Sequence, residues 1–198
     1  VLFIGDSVTD CGRRTDPDGL GDGYVRLLAT GPLAGCRVSN RGVGGDRAVD
    51  LAARWEADVV AERPDVLSVL VGVNDTWRRY DAGEVTPVDE FEATYRSLLD
   101  RARAAGVGRL VLVEPFVLPV RPGQERWWDE DLGARVDVVG RLAAEHDAVL
   151  VPAAAHLTAL VREHGAAALA DDGVHPTALG HRALADLWWA GAGPSVRV

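Results

Sequence analysis

Cysteine is scarce in this sequence, with two in 198 residues, Cys11 and Cys36. They form no C-x-x-C pair and are too few for a disulfide framework or a zinc cage, so both are expected as free thiols. An apolar stretch of about 18 residues is also lacking, which argues against a membrane-spanning helix, and no charged leader precedes a hydrophobic run. A cytoplasmic protein without a membrane partner is the expectation. Basic runs are missing too. Lys and Arg total 21 against 30 Asp and Glu, a net charge of -9, so a nucleic-acid backbone would be repelled and no nucleic-acid partner is expected. Arg13-Arg14 and Arg78-Arg79 are pairs beside carboxylates rather than a patch.

What remains is an ordinary globular composition, 47% hydrophobic and 26% charged, long enough to bury roughly 70% of its unfolded surface. With no repeat, low-complexity stretch or linker, a single domain over 1–198 is expected. Short β-branched runs recur at Val1 to Ile4, Arg37 to Ser39, Val66 to Val71, Arg109 to Val113 and Val149 to Val151, each the length of a buried strand. Segments of helical spacing lie between them, at about Gly23 to Leu33, Arg47 to Ala61, Pro87 to Ala105, Asp131 to His146 and Thr177 to Ala190. Gly106 stands where a helix-ending glycine belongs, and Thr177 can cap the last helix. Alternation of this kind predicts an α/β protein, a three-layer α/β/α sandwich around a flavodoxin-like parallel sheet of about five strands. The longest irregular piece, about Pro115 to Trp128, follows the fourth strand. It therefore lies at the carboxyl edge, where open α/β sheets bind ligands.

Gly5-Asp6-Ser7 comes directly after the first strand, so the turn lifts the Ser7 hydroxyl to that edge, a nucleophile position. Val8-Thr9 follows where a G-x-S-x-G elbow would have x-Gly. Alone, Gly-Asp-Ser is a weak signal and reads more readily as a capping turn. A serine attacks an ester only when a base takes its proton and the base is held in the right tautomer. Asp172-Gly-Val-His175 offers both groups on one loop, the carboxylate beside Nδ1 and Nε2 left to face Ser7. Asp171 is one residue out of that spacing. The other histidines, His146, His156, His164 and His181, sit in or beside helices and read as surface or packing residues. An oxyanion hole needs donors aimed at the developing charge. Asn74, in Gly72-Val-Asn-Asp75 after the third strand, offers a side-chain amide. Gly42 to Gly45, in Asn40-Arg-Gly-Val-Gly-Gly-Asp46 after the second, can bring a backbone N–H close to a substrate. Neither a P-loop lysine nor a G-x-G-x-x-G spacing is present, so a phosphate loop is disfavoured.

Together the four blocks, in this order, resemble the SGNH hydrolase superfamily of GDSL esterases and lipases over nearly the whole chain. That resemblance implies Ser7 as nucleophile, His175 as general base and Asp172 as its orienting acid. It further implies an oxyanion hole of the Ser7 N–H, the Gly45 N–H and the Asn74 amide, with Gly44 the alternative should the alignment shift by one. No metal or organic cofactor is implied. Gly5-Asp-Ser-Val-Thr-Asp-Cys-Gly-Arg13, Arg54-Trp-Glu-Ala-Asp-Val59, Gly72-Val-Asn-Asp-Thr-Trp-Arg-Arg-Tyr80 and His175-Pro-Thr-Ala-Leu-Gly-His181 are similar to bacterial carbohydrate acetylesterases acting on xylan or xylo-oligosaccharides. The expected partner is thus a small-molecule or oligosaccharide ester. Trp77, Trp127 and Trp128 offer flat indole faces for a sugar ring, with packing or a homo-oligomer interface as the alternative. Trp55, Trp188 and Trp189 fall on helices and read as core or interface. Connections look too short and polar for a long-chain acyl groove, which favours acetyl over the lysophospholipase or thioesterase alternatives on the same scaffold. A non-catalytic sugar-binding module is the rival from another class.

Overall fold

Strands that are apolar on both faces must be covered on both, and the chain does this with crossover helices. The computed structural model describes residues 1–196. Arg197 and Val198, the last two residues of the domain expected over 1–198, lie outside the described residues. In chain order the elements are β1 (Leu2–Gly5), α1 (Ser7–Asp10), α2 (Tyr24–Thr30), β2 (Ser39–Gly42), α3 (Ala48–Trp55), β3 (Val66–Leu70), α4 (Val73–Asp81), α5 (Val88–Ala104), β4 (Arg109–Val113), α6 (Glu125–Trp127), α7 (Gly133–Glu145), β5 (Val149–Val151), α8 (Ala153–His164), α9 (Ala166–Leu169) and α10 (Ala178–Val196). Helix α3 runs on as a π-helical turn over Glu56–Val60, and a second such turn, Trp128–Leu132, joins α6 to α7.

The five strands form a parallel sheet in the order β2-β1-β3-β4-β5. Alternation along each strand divides the core. Leu2 and Ile4 of β1, Leu67 and Val69 of β3, and Leu110 and Leu112 of β4 face α3, α5 and α7, where Leu51, Trp55, Phe91, Tyr95, Leu98 and Leu142 close one apolar layer. Phe3, Leu70, Val111, Val113 and Val151 face the other way, onto α2, α8, α9 and α10. Each fully buried Leu, Val or Phe contributes about 1.5–3 kcal/mol. Trp188 of α10 is fully buried there, and its indole N–H is satisfied by Ser68 Oγ at 3.0 Å. This is the three-layer α/β/α architecture expected of the sequence.

Helix ends follow their local chemistry. Gly106 and Val107 donate to the carbonyls of Arg103 and Ala102, each at 3.0 Å, the paired bonds that close a helix at a glycine. The Thr177 hydroxyl accepts from Gly180 N–H at the start of α10.

Two expectations that bear on the site change. The second strand is Ser39–Gly42 rather than Arg37 to Ser39, so Asn40, Arg41 and Gly42 lie in it and not after it. This edge strand has no β-branched core face to announce it. Its register is set by pairing with β1, Leu2 opposite Ser39 and Gly5 opposite Gly42, and by Asn40, whose amide donates to the carbonyls of Thr9 and Leu20 at 2.7 and 2.8 Å. Gly42 must be glycine, since a Cβ there would stand 2.2 Å from Asp10 N. Secondly, Val73–Asp81 is a helix, although the segment is polar, has no side-chain cap bond at Gly72 and falls in none of the helical segments expected of the sequence. In the fold Val73, Trp77 and Tyr80, at i, i+4 and i+7, form a stripe against Val117, Trp127, Leu132 and Val174. That packing makes α4 a helix.

Candidate active site

Strand order reverses between β1 and β3, the switch point where the loops leaving the two strands diverge and open a crevice. Ser7 leaves β1 and Asn74 leaves β3, so both stand there. Asp6, the N-cap of α1, accepts from Val8 N–H at 3.0 Å and holds the turn that presents Ser7.

Asp172 and His175 arrive from the loop before α10. His175 Nε2 lies 2.9 Å from Ser7 Oγ, and its Nδ1 lies 2.7 Å from Asp172 Oδ2. The other carboxylate oxygen, Oδ1, accepts from the backbone N–H groups of Val174 and His175 at 2.9 and 2.8 Å. Burial opposes ionisation of Asp172. The His175 backbone N–H, the imidazole and the Val174 N–H outweigh it and hold the carboxyl below its usual range. A carboxylate can only accept, so Nδ1 carries the neutral ring's proton and Nε2 presents a lone pair to Ser7. Asp171 is exposed, and all of these bonds are made by Asp172.

The groups expected as oxyanion donors are held just as closely. Asn74 Nδ2 donates to Asp46 O at 3.0 Å, which orients the amide and leaves its second N–H free to donate elsewhere. Gly44 N–H is committed to Asp10 Oδ2 at 3.1 Å. Gly45 has φ +88°, a conformation that suits glycine, and among the described residues neither its N–H nor that of Ser7 has an acceptor. Arg54 clamps the loop: its guanidinium reaches Asp46 at 2.7 Å, Asp58 at 2.6 Å, Arg41 O at 2.7 Å and Gly5 O at 3.2 Å. Arg13 donates from Nε to Gly42 O.

Two buried carboxyls flank the site. Burial pushes Asp6 up to about 7, against the Val8 N–H and the His175 charge. It also pushes Asp75, which accepts from Ala48 N–H at 3.2 Å, up to about 6 against the Arg135 charge. His181 is buried as a packing residue, accepts Tyr24 N–H on Nδ1 and faces Cys11 Sγ with Nε2 at 3.3 Å. Burial and the His175 charge take it down to about 4. Both cysteines are free thiols.

The three indoles proposed for substrate separate. Trp77 is half-buried, its ring 5.9 Å from the His175 ring and 5.6 Å from Trp127. Trp127 is only 6% exposed, stacked on Tyr80 at 5.1 Å, and belongs mainly to packing. Trp128 is 42% exposed and its ring lies beside Gly133, the first residue of α7, instead of with the other two. Gln124 had no motif to mark it. Buried at 5%, it accepts the N–H groups of Val120 and Arg121 on Oε1 at 3.0 and 2.9 Å and donates to Asp172 O at 2.7 Å. It ties the long loop after β4 to the Asp172-His175 loop. Arg54 could have been suspected from its i,i+4 spacing to Asp58.

A model of the GDSL-like Lipase/Acylhydrolase family matches residues 3–183, and the chain belongs to that family. It is a carboxylic ester hydrolase. It is 39% identical over 203 residues to an acetylxylan esterase of Geobacillus stearothermophilus, covering 93% of this chain and 90% of the relative. Solved structures of an acetylxylan esterase from the same organism superpose with a TM-score of 0.84 at 36% identity, over 96% of this chain and 91% of theirs. A candidate GDSL-like lipase from Parabacteroides merdae superposes at 0.89 with 33% identity, over 97% of this chain and 94% of that one. Three of the Geobacillus structures are catalytic mutants in which a serine, a histidine or an aspartate is replaced by alanine, the aspartate three positions before the histidine.

Proposed function

We propose that this enzyme is a serine esterase that removes short acyl groups, acetyl foremost, from O-acetylated carbohydrates such as xylo-oligosaccharides. The observation that carries this is the continuous hydrogen-bonded line from Asp172 through His175 to Ser7. In the reaction Ser7 Oγ attacks the acyl carbon while its proton passes to His175 Nε2. The carbonyl π electrons move onto oxygen, which receives the N–H groups of Ser7 and Gly45 and the free Asn74 amide N–H. Collapse of that intermediate expels the sugar alkoxide, which takes the proton from Nε2. Water, deprotonated in turn by His175, then attacks the acyl-enzyme, and collapse of this second intermediate releases the carboxylic acid while Nε2 returns the proton to Ser7 Oγ.

The acetylxylan esterase relatives and their serine, histidine and aspartate catalytic mutants support both the chemistry and the substrate class. Asp172 and His175 repeat the three-residue spacing of that aspartate and histidine. An acyl-length series on chromogenic esters, with acetate release from acetylated xylo-oligosaccharides, tests the reading. Acetyl should be preferred, and Ser7→Ala should lose on the order of a thousandfold or more. Preference for acyl chains of about eight carbons or longer would move the enzyme to lysophospholipid or thioester substrates.

A further inference from the structure

We propose that the cavity behind Trp77 is a subsite for an acidic sugar, so that the preferred ester is an acetylated oligosaccharide bearing a uronate next to the acetylated unit. This rests on the carbohydrate esterase reading above and narrows its substrate. The cavity holds about 280 Å³ and is lined by Trp77, Tyr80, Trp127, Arg121, Arg126 and Gln124, among others. That is just below the roughly 300–1,000 Å³ of small-molecule sites and suits one ring with its substituent. Trp77 is the wall it shares with the catalytic centre, 5.9 Å from the His175 ring. A sugar held here therefore lies one indole away from the acyl group under attack.

The lining has a definite charge. Both of its charged residues are cations, in a chain whose net charge is -9. Arg126 sits over the Tyr80 ring at 5.9 Å and meets Glu130 only at 3.8 Å, a loose pair in which the arginine is 61% exposed. Glu130 is itself engaged by the Tyr80 hydroxyl at 3.0 Å. Nearby Glu125 is turned to Gly123 N–H at 2.8 Å. The Arg121 guanidinium has no acceptor among the described residues, although its backbone is fixed through Gln124. A planar guanidinium beside stacked aromatic rings matches a sugar carboxylate, which it can bind through two parallel N–H bonds, better than it matches a neutral hydroxyl. Gln124 also holds Asp172 O, so the backbone that carries Arg121 is tied to the Asp172-His175 loop.

The experiment compares kcat/KM on neutral acetylated xylo-oligosaccharides with the same oligosaccharides carrying a glucuronic acid branch beside the acetylated residue. Titration calorimetry of the corresponding deacetylated oligosaccharides on Ser7→Ala enzyme reads binding directly. The acidic ester should be preferred on the order of tenfold at low salt, and the preference should shrink at 0.5 M salt, where the screening length is about 4 Å. Arg121→Gln should reduce the acidic-to-neutral ratio several-fold, Arg121→Lys should restore part of it, and Arg126→Gln should lower it less. Equal kcat/KM for the two esters, or an unchanged ratio in Arg121→Gln, overturns the subsite while leaving the esterase reading intact. Hydrolysis of chromogenic acetate without hydrolysis of either oligosaccharide overturns the carbohydrate reading and the subsite with it.

Discussion

Replacing Asp172 by Asn tests the line of hydrogen bonds at its most demanding point. Asp172 uses Oδ1 for two backbone N–H groups and Oδ2 for the imidazole. Asparagine has one oxygen and one NH2, and it cannot serve both sides as an acceptor. If its oxygen keeps the Val174 and His175 amides, the NH2 faces Nδ1, which must then be unprotonated. The ring proton moves to Nε2, and the ring donates to Ser7 Oγ instead of accepting from it. The opposite flip places NH2 against two N–H donors and sacrifices two hydrogen bonds of about 1 kcal/mol each, so the first arrangement wins. The loop keeps its shape and the base is in the wrong tautomer. kcat should fall by about a hundredfold to ten-thousandfold, equivalent to about 2.7–5.4 kcal/mol of barrier. Asp171→Asn, one residue earlier and exposed, should change kcat by less than about twofold. Steady-state hydrolysis of a chromogenic acetate, with thermal melts to show equal folding, decides it. Equal activity of the two variants, or a crippled Asp171→Asn, would refute the reasoning and require another carboxylate.

Asn74→Ala should lower kcat roughly a hundredfold to a thousandfold with little change in KM, because the amide meets full charge only in the transition state. A KM rise at constant kcat would instead make Asn74 a ground-state contact. Asp6 is protonated in the fold up to about pH 7, whereas unfolded it ionises near 3.9. The native state therefore holds the extra proton between those values, and this residue's contribution to stability falls as pH rises through that window. Asp6→Asn keeps an acceptor for Val8 N–H, so the variant's Tm should gain on wild type from pH 4 to pH 7, and a constant Tm difference would contradict the buried-acid account. Trp127→Ala should cost about 3–5 kcal/mol in denaturant unfolding, as a buried aromatic does. Trp128→Ala, at 42% exposure, should cost no more than about 1 kcal/mol.

Much of this protein could be read from the sequence because the relevant physics is local. Val66 to Val71 and Arg109 to Val113 are strands by composition, and alternation with amphipathic segments leaves a parallel sheet as the economical packing. Asp172 and His175 share one short loop, so their approach needs only a turn. The meeting of His175 with Ser7 spans 168 residues, and only the closing of the sheet brings it about, although the Gly-Asp-Ser block after the first strand and the Asp-x-x-His block marked the two groups as candidates. Other features had no local cause. Ser39–Gly42 is a strand because β1 offers an unpaired edge and Asn40 knits it to Thr9 and Leu20, and α4 is a helix because Trp127, Leu132 and Val174 wait to cover its stripe. The commitment of Gly44 N–H to Asp10 leaves the Gly45 amide open, a distinction of one residue that spacing alone left undecided. Trp127 and Trp128 are adjacent and chemically identical, yet one is buried and the other is not. Periodicity shows which side chains share a face, but only the packed neighbours determine which of those faces meets water and which meets the site.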